Sequence, residues 1–206
     1  EVYHESMKIL DVGCAGGHYF NSLKSINPEI SYTGFDATKA YIDFAKKHFH
    51  EQENVNFDRQ DVFNIDKKYN NEFDVVFSCN VLLHLPSVEE PINNLLDASK
   101  KYCFIRTLIS NNTHLSKYLY SDSFDKNGDP DHFVYENTYS KEYIKQIIRS
   151  HGNYNTEFIE DKFDEKAINA EFVDYDSIQD AVTKSVNGLQ IAGSKVFEWA
   201  WVKITK

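Results

Sequence analysis

The feature that most constrains this chain is a short apolar strand pattern that runs directly into a glycine-rich turn. Residues 8–17 read Lys-Ile-Leu-Asp-Val-Gly-Cys-Ala-Gly-Gly, with Asp11 at the junction. Such a turn changes direction sharply and lets a ligand approach the backbone, which residues with no side chain or a small one permit. The pattern predicts the first strand-to-helix turn of an α/β fold that binds a nucleotide-like ligand.

The spacing within the turn narrows the ligand. A dinucleotide-binding turn has glycines in the order G-x-G-x-x-G, whereas the small residues here lie at positions 13, 15 and 17. His18 follows them, and no pyrophosphate cradle is evident. An acid just before the turn, Asp11, repels phosphate and suits a cationic ligand.

The run from Asp11 to Gly17 resembles the first motif of class I S-adenosylmethionine-dependent methyltransferases, (D/E)-x-G-x-G-x-G, with Ala15 in place of the middle glycine. The resemblance implies S-adenosylmethionine as the cofactor. The residues of the turn that it assigns to cofactor binding are Asp11, Gly13, Cys14, Ala15 and Gly17. For the motif taken alone, an ordinary strand-to-helix turn of another α/β protein is the alternative.

Further strand patterns follow at regular intervals, and each ends in polar residues. They are Ile30–Phe35, Val55–Gln60 and Phe73–Ser78. Ligands of open α/β sheets bind beyond the carboxyl ends of the strands, so the residues that follow these strands should converge on the glycine turn. The expected cofactor contacts there are Asp36, Ala37, Asp61, Val62, Cys79 and Asn80. Asp36 stands where a ribose-binding acid is expected, although each acid taken alone is more typical of a turn or a helix cap than of a ligand contact.

Helical periodicity separates the strands and predicts the fold class. Apolar residues recur at helical spacing in 17–25, 38–48, 87–100 and 140–150. Thr38 should cap the second helix, and residues 87–90 read as a capping box, with a start at Glu90 as the alternative because Pro91 follows. The alternation predicts an α/β fold with a doubly wound, mostly parallel sheet.

The C-terminal part follows a different pattern. The strand patterns 154–160 and 195–204 need no full helix between them, which favours an antiparallel final pair. This pair is similar to the end of the seven-stranded, Rossmann-like methyltransferase sheet, whose last strand is antiparallel. We therefore expect a single methyltransferase domain over 1–206. Insertions 108–139 and 161–194, the second with a helix over Ser177–Val186, should form a substrate cap.

Composition excludes several classes of function. The chain of 206 residues has a formal net charge of −10 and no dense Lys/Arg cluster, so we expect no nucleic-acid partner. No apolar run is long enough to span a bilayer, so we expect no membrane partner. No signal peptide precedes the first strand, which favours a cytoplasmic location. Three cysteines, Cys14, Cys79 and Cys103, fit free thiols in a reducing cytoplasm. Oligomeric state is not predicted.

The segment after the fourth strand points to a small-molecule substrate. Residues 78–85 read Ser-Cys-Asn-Val-Leu-Leu-His-Leu. They lack the N-P-P-Y tetrapeptide of amino-methylating DNA enzymes and are similar to small-molecule methyltransferases whose fourth strand runs into a segment ending in His-Leu. His84 is the candidate base if the acceptor is a hydroxyl, with a packing or capping role as the alternative.

Several weaker sequence features also carry expectations. His132 and Tyr135 are tentative substrate contacts, and His132 is also a weaker candidate base or a plain loop histidine. The acidic run 121–131 is interpreted as a solvated turn, and no metal site is expected. A helical segment that covers the cofactor usually precedes the first strand in the family, so we expect such a lid ahead of the sequence that begins at Glu1. If Glu1 is the true start, the site should be unusually open. The alternative functions are a non-catalytic adenosylmethionine-binding module and a nucleotide-dependent oxidoreductase.

Overall fold

The computed structural model describes residues 7–119, 123–162, 184–192 and 195–206. Its first half alternates strands with helices. The elements are β1 (Lys8–Val12), α1 (His18–Ile26), β2 (Ser31–Asp36), α2 (Lys39–His48), β3 (Val55–Arg59), β4 (Phe73–Cys79), α3 (Glu89–Ala98) and β5 (Ser99–Ser110). Single 3-10 turns lie at Lys67–Tyr69 and Leu82–His84.

The second half is richer in strands. Its elements are β6 (Lys117–Leu119), β7 (Phe133–Tyr135), β8 (Tyr139–Ser140), α4 (Lys141–His151), β9 (Asn155–Glu160), β10 (Lys184–Val186), β11 (Leu189–Ala192), β12 (Lys195–Phe197) and β13 (Trp199–Thr205). No helix in the described part of the chain is both long and apolar enough to cross a membrane.

The main sheet has the order β3-β2-β1-β4-β5-β13-β9, and β8 pairs with the end of β5. The strands β3, β2, β1, β4 and β5 are all parallel to one another. The last strand, β13, is antiparallel to both β5 and β9. This arrangement confirms the predicted fold class, including the antiparallel final pair.

The sheet separates two apolar layers because successive side chains of a strand point to opposite faces. On one face Leu10 and Val76 pack with α3 and α4, whose buried residues include Ile92 and Ile147. On the other face Ile9 of β1 belongs to the cluster that includes residues of α1 and α2. The carboxyl ends of β1 to β5 all reach the same edge of the sheet, where the predicted ligand site lies.

Several predicted boundaries are wrong. The capping box at 87–90 does not form, because α3 begins at Glu89 and its N-cap is Val88, whose side chain is buried. Pro91 is tolerated because an N–H in the first turn has no helical partner. Thr38 makes no side-chain cap, whereas Ser140 does cap α4 by accepting a hydrogen bond from the N–H of Tyr143.

The C-terminal boundaries also need correction. The predicted strand 195–204 is two strands that separate at Glu198, and β12 belongs to a small antiparallel sheet with β10 and β11. Residues 184–186 of the predicted helix Ser177–Val186 form β10, and the rest of that helix lies outside the described residues. The insertion 108–139 contains the β6–β7 hairpin. Its role as a substrate cap stays a prediction.

Candidate functional site

A cleft of about 420 Å³ opens beyond the carboxyl ends of β1, β2, β3 and β4. This volume lies within the range of small-ligand sites, roughly 300–1,000 Å³. The residues expected at the cofactor that line the cleft are Gly13, Asp36, Ala37, Asp61, Val62 and Asn80. The structure thus brings together residues from four separate strand ends.

Gly13 sits where no side chain fits. Its φ is +83°, in the left-handed region that glycine adopts most readily. A Cβ at this position would meet Cγ2 of Val81, which itself lines the cleft. The backbone N–H groups of Gly13 and Cys14 both donate to the carbonyl of Phe35, at 2.7 and 2.9 Å, so the turn is held against the end of β2.

Asp36 is anchored by the backbone on both sides. Its Oδ2 accepts a hydrogen bond from the N–H of Ala15 at 3.0 Å, and its Oδ1 accepts one from the N–H of Thr38 at 2.8 Å. A carboxylate has about four acceptor positions, so each oxygen retains capacity for a further donor. The group is therefore fixed at the cleft wall with acceptors left for two hydroxyls, which fits the ribose of an adenosyl cofactor.

The far wall combines polar and apolar groups. Oδ1 of Asp61 accepts from the N–H of Phe63 at 3.0 Å, and the side chain of Val62 is buried beside it. Tyr41 also lines this cleft and is half exposed. Tyr41 was not predicted as a site residue from the sequence, although it follows the Asp36–Thr38 segment closely.

The residues expected at the cofactor that are not among the described residues lining the cleft are Asp11, Cys14, Ala15, Gly17 and Cys79. Asp11 faces the apolar layer beneath the turn, where its Oδ2 accepts a 2.6 Å hydrogen bond from the hydroxyl of Tyr32. Burial raises the pKa of Asp11 to about 7. The geometry therefore does not support the expected charge attraction, because Asp11 is 1% exposed and shares a strand face with Ile9.

Gly17 and Cys14 pack beneath the turn and do not line the cleft. A Cβ on Gly17 would lie 2.8 Å from ring atoms of Phe49 and Phe57, so this glycine makes room for the aromatic layer. Burial raises the pKa of the Cys14 thiol above its ordinary range. The thiolate form that a nucleophile needs is thus disfavoured there. Ala15 has a φ of +47° and contributes its N–H to Asp36.

The end of β4 is joined to the C-terminal strands by Arg106. Asn80, with a φ of +61°, accepts a hydrogen bond at Oδ1 from a terminal nitrogen of Arg106 at 2.5 Å. The Nε of Arg106 is 2.5 Å from Oδ2 of Asp161, and the guanidinium lies 4.2 Å from the ring centroid of Trp199. Arg106 was not predicted as a site residue, because an isolated arginine in a strand pattern carries no local signal.

Cys79 lies beside this group. Its sulfur is 2.9 Å from the hydroxyl oxygen of Tyr19, and burial raises the pKa of the thiol. Asp161 also lines a second cavity of about 280 Å³ with Ile109, Phe158 and Trp199. Because Arg106 binds both Asn80 and Asp161, the cleft and the second cavity are neighbours along one edge of the sheet.

His84 lines the cleft from the short turn after β4 and is exposed. Its Nδ1 lies 2.9 Å from the carbonyl oxygen of Tyr135. A carbonyl oxygen only accepts, so this contact places the hydrogen on Nδ1 and leaves the lone pair of the neutral ring on Nε2. Tyr135 therefore acts here through its backbone.

His132 is placed differently from His84. Its Nδ1 is 2.9 Å from Oδ1 of Asp131, and both residues are exposed. His132 is not among the described residues of the cleft wall. Its substrate role and its weaker candidacy as a base stay predictions.

The sheet order, the glycine turn and the acid after β2 define the class I S-adenosylmethionine-dependent methyltransferases. The family model described as "Methyltransferase domain" matches residues 3–170, and the chain belongs to this family. The chain is 32% identical over 116 residues to the ubiquinone biosynthesis O-methyltransferase of Coxiella burnetii strain RSA 493, covering 55% of this chain and 47% of that protein. It is also 32% identical over 95 residues to the tRNA U34 carboxymethyltransferase of Helicobacter pylori strain G27, covering 45% and 36%. The match thus spans less than half the length of these relatives.

Solved structures share the fold at low sequence identity. The magnesium protoporphyrin IX methyltransferase ChlM from Synechocystis PCC 6803 with bound SAM has a TM-score of 0.57 at 14% identity, covering 98% of this chain and 70% of that one. An S-adenosylmethionine-dependent methyltransferase from Mesorhizobium loti has a TM-score of 0.63 at 13% identity, covering 97% and 91%. The [4+2]-cyclase SpnF has a TM-score of 0.66 at 15% identity, covering 100% and 77%. The cofactor of the class is S-adenosylmethionine, and its fold carries more than one named reaction.

Proposed function

We propose that this domain transfers the methyl group of S-adenosylmethionine to a small-molecule acceptor by in-line displacement. The observation that carries the proposal is the cleft in which Gly13, Asp36 and Asn80 meet His84. When bound, the cofactor supplies an already activated methyl on a sulfonium. The protein then needs chiefly to align the two reactants and exclude water.

The residues of the cleft divide this work. The carboxylate of Asp36, held by the N–H groups of Ala15 and Thr38, would accept hydrogen bonds from the two ribose hydroxyls. Val62 and Tyr41 offer apolar and aromatic surface to the adenine, and Asp61 offers an acceptor. Gly13 keeps the backbone open at the start of the cleft.

A small-molecule acceptor fits the surroundings of the cleft better than a nucleic acid does. The second cavity of about 280 Å³ adjoins the cleft through Arg106 and has room for a small organic molecule. The net charge of −10 opposes the approach of a phosphate backbone. The names of the Coxiella relative and of ChlM point to small organic acceptors, whereas the Helicobacter relative acts on tRNA by its name.

A hydroxyl acceptor would use His84 as its base. The hydrogen bond from Nδ1 to the carbonyl of Tyr135 leaves the basic lone pair on Nε2, which suits removal of a hydroxyl proton during transfer. His84→Gln should then lower kcat by about 100-fold or more for a hydroxyl acceptor. The kcat for an acceptor that needs no base, such as a thiolate, would be insensitive to this change.

The proposal is tested by binding first and turnover second. S-adenosylmethionine and S-adenosylhomocysteine should raise the melting temperature, and NAD should not. Transfer of a radiolabelled methyl group should then be measured over a panel of hydroxyl, amine, carboxylate and thiol compounds, with transfer RNA as a comparison. Stabilisation by the adenosyl ligands without labelling of any acceptor would favour a binding module, and stabilisation by NAD alone would favour an oxidoreductase.

A further inference from the structure

The candidate base lies on a segment with little regular structure of its own. His84 ends the 3-10 turn Leu82–His84, and α3 begins only at Glu89. The ring of His84 is exposed, while Leu82 and Leu83 before it are buried. A short turn of this kind does not fix a side chain by itself, so the position of the ring depends on what binds the surrounding backbone.

Asn137 makes two of the hydrogen bonds that hold this backbone in place. It is fully buried, and its backbone N–H donates to the carbonyl of Leu83 at 2.9 Å. Its side-chain Nδ2 donates to the carbonyl of Leu85 at 2.8 Å. The carbonyls on both sides of His84 are therefore held by one buried residue.

Tyr139 extends the same attachment. Its hydroxyl accepts a hydrogen bond from Nδ2 of Asn137 at 3.2 Å and donates one to the carbonyl of Leu82 at 2.8 Å. On the other side of the amide, Oδ1 of Asn137 accepts from the N–H of Ser116 at 3.0 Å. Each polar group of the amide thus has a partner, and the partners fix its orientation because Leu85 offers only an acceptor and Ser116 only a donor.

The same segment also fixes the ring. Tyr135, two residues before Asn137, provides the carbonyl that accepts from Nδ1 of His84. Asn137 therefore ties the backbone that bears the ring to the strand segment that bears the ring's partner. Loss of the amide should let these two segments separate and break the hydrogen bond between Nδ1 of His84 and the carbonyl of Tyr135.

We propose that Asn137 is a positioning residue that holds His84 in the Nδ1–H tautomer, with Tyr139 as its helper. This inference rests on the proposed function, in which His84 is the base. Asparagine suits the position because it donates and accepts through one short planar group. Aspartate would place a carboxylate against the carbonyl of Leu85, and alanine would leave the carbonyl of Leu85 and the N–H of Ser116 without their side-chain partner.

The first test requires no acceptor. Long-range ¹⁵N–¹H spectra of the ¹⁵N-labelled protein should show His84 mainly as the Nδ1–H tautomer, assigned by its loss in His84→Gln. Asn137→Ala should shift it toward the Nε2–H tautomer that a free histidine side chain prefers in water. Tyr139→Phe, which keeps the packing of the ring, should shift it in the same direction and decides the matter if Asn137→Ala does not fold.

Asn27→Ala is the matched control, because Asn27 is a buried asparagine that follows α1 at the opposite edge of the sheet. This variant should lose stability without changing the tautomer of His84. The inference is overturned if Asn137→Ala and Tyr139→Phe both keep the Nδ1–H tautomer, or if Asn27→Ala shifts it equally.

A kinetic cycle separates the inference from the proposed function. With a hydroxyl acceptor found by the labelling assay, Asn137→Ala should lower kcat about 10-fold to 100-fold, with a smaller change in the KM for S-adenosylmethionine. In the His84→Gln background the same change should leave kcat nearly unaltered, because the two residues act as one unit. Full kcat in His84→Gln would refute the base and leave the tautomer test standing. Additive losses in the double variant would refute the positioning role.

Discussion

Gly13 lines the cleft at a point where a side chain would collide with Val81. In Gly13→Ala the new methyl group would displace Val81 toward the cofactor, so affinity for S-adenosylhomocysteine should fall about tenfold or more. Titration calorimetry measures this change. The variant should also lose about 1–2 kcal/mol of stability, because alanine is strained at a φ of +83°.

Gly128→Ala is the control for that strain. Gly128 has a φ of +84°, and a Cβ there would meet nothing within 4 Å. The control should lose a similar amount of stability and retain full affinity. Equal affinity in both variants would show that the cleft tolerates a side chain at Gly13.

Asp36 should contribute affinity through charge-assisted hydrogen bonds. In Asp36→Asn the amide cannot accept from the N–H groups of both Ala15 and Thr38, and it offers weaker acceptors to the ribose. We expect affinity for S-adenosylhomocysteine to fall about 10-fold to 100-fold by calorimetry. Asp43→Asn, which changes an exposed carboxylate on α2, should bind as the unaltered protein does. Unchanged affinity in Asp36→Asn would remove the ribose assignment.

At the scale of elements, the pairing of β1 with β2 buries an ionisable pair. Asp11 and Tyr32 meet between the two strands, and burial raises the pKa of Asp11 from 3.8 to about 7. The folded state therefore keeps a proton that the unfolded state releases. The stability that this proton provides is complete below about pH 4 and is lost as the pH rises to about 7.

Asp11→Asn removes this dependence because an amide does not titrate in the range. Urea unfolding at several pH values should show the unaltered protein losing free energy of unfolding relative to Asp11→Asn between about pH 4 and 7, with a constant difference above that range. A difference between the two proteins that does not vary with pH would mean that Asp11 titrates normally in the folded state.

Elements were predictable where local periodicity determines them. The strand after the first turn, the four helices of the described core and the antiparallel pair β9–β13 all follow from patterns within a dozen residues. The break at Glu198 was not predictable, because no glycine, proline or asparagine marks it. The start of α3 was misjudged because burial of Val88 outweighs the local preference of Ser87 for a cap.

The site was predictable in part for the same reason. Gly13, Asp36 and Asn80 stand at strand ends, and the topology of an α/β sheet brings such positions together. Asp11 is adjacent to the turn in sequence, yet the alternation of β1 directs it to the apolar layer. Arg106 and Asn137 act through contacts with distant residues, and a single sequence carries no signal for these contacts.

At the scale of the whole molecule, Arg106 joins the cofactor half of the sheet to its C-terminal half. Arg106→Met would leave Asn80 without this donor and Asp161 without its ion-pair partner, while the apolar stem still packs on Trp199. The side chain of Arg106 is 11% exposed and that of Asp161 is 32% exposed. We expect the free energy of unfolding to fall by about 1–3 kcal/mol in urea titration.

The same variant should bind S-adenosylhomocysteine more weakly, because Asn80 lines the cleft and loses a partner that orients its amide. Arg106→Lys should recover only part of both losses, since one ammonium group cannot match the planar fork that reaches both partners. Arg149→Met, which removes an exposed ion pair with Glu142 on α4, should change neither quantity appreciably. If Arg106→Met lowers stability but leaves cofactor affinity intact, the two halves of the sheet are coupled in folding and not in binding, and Asn80 holds its position without the arginine.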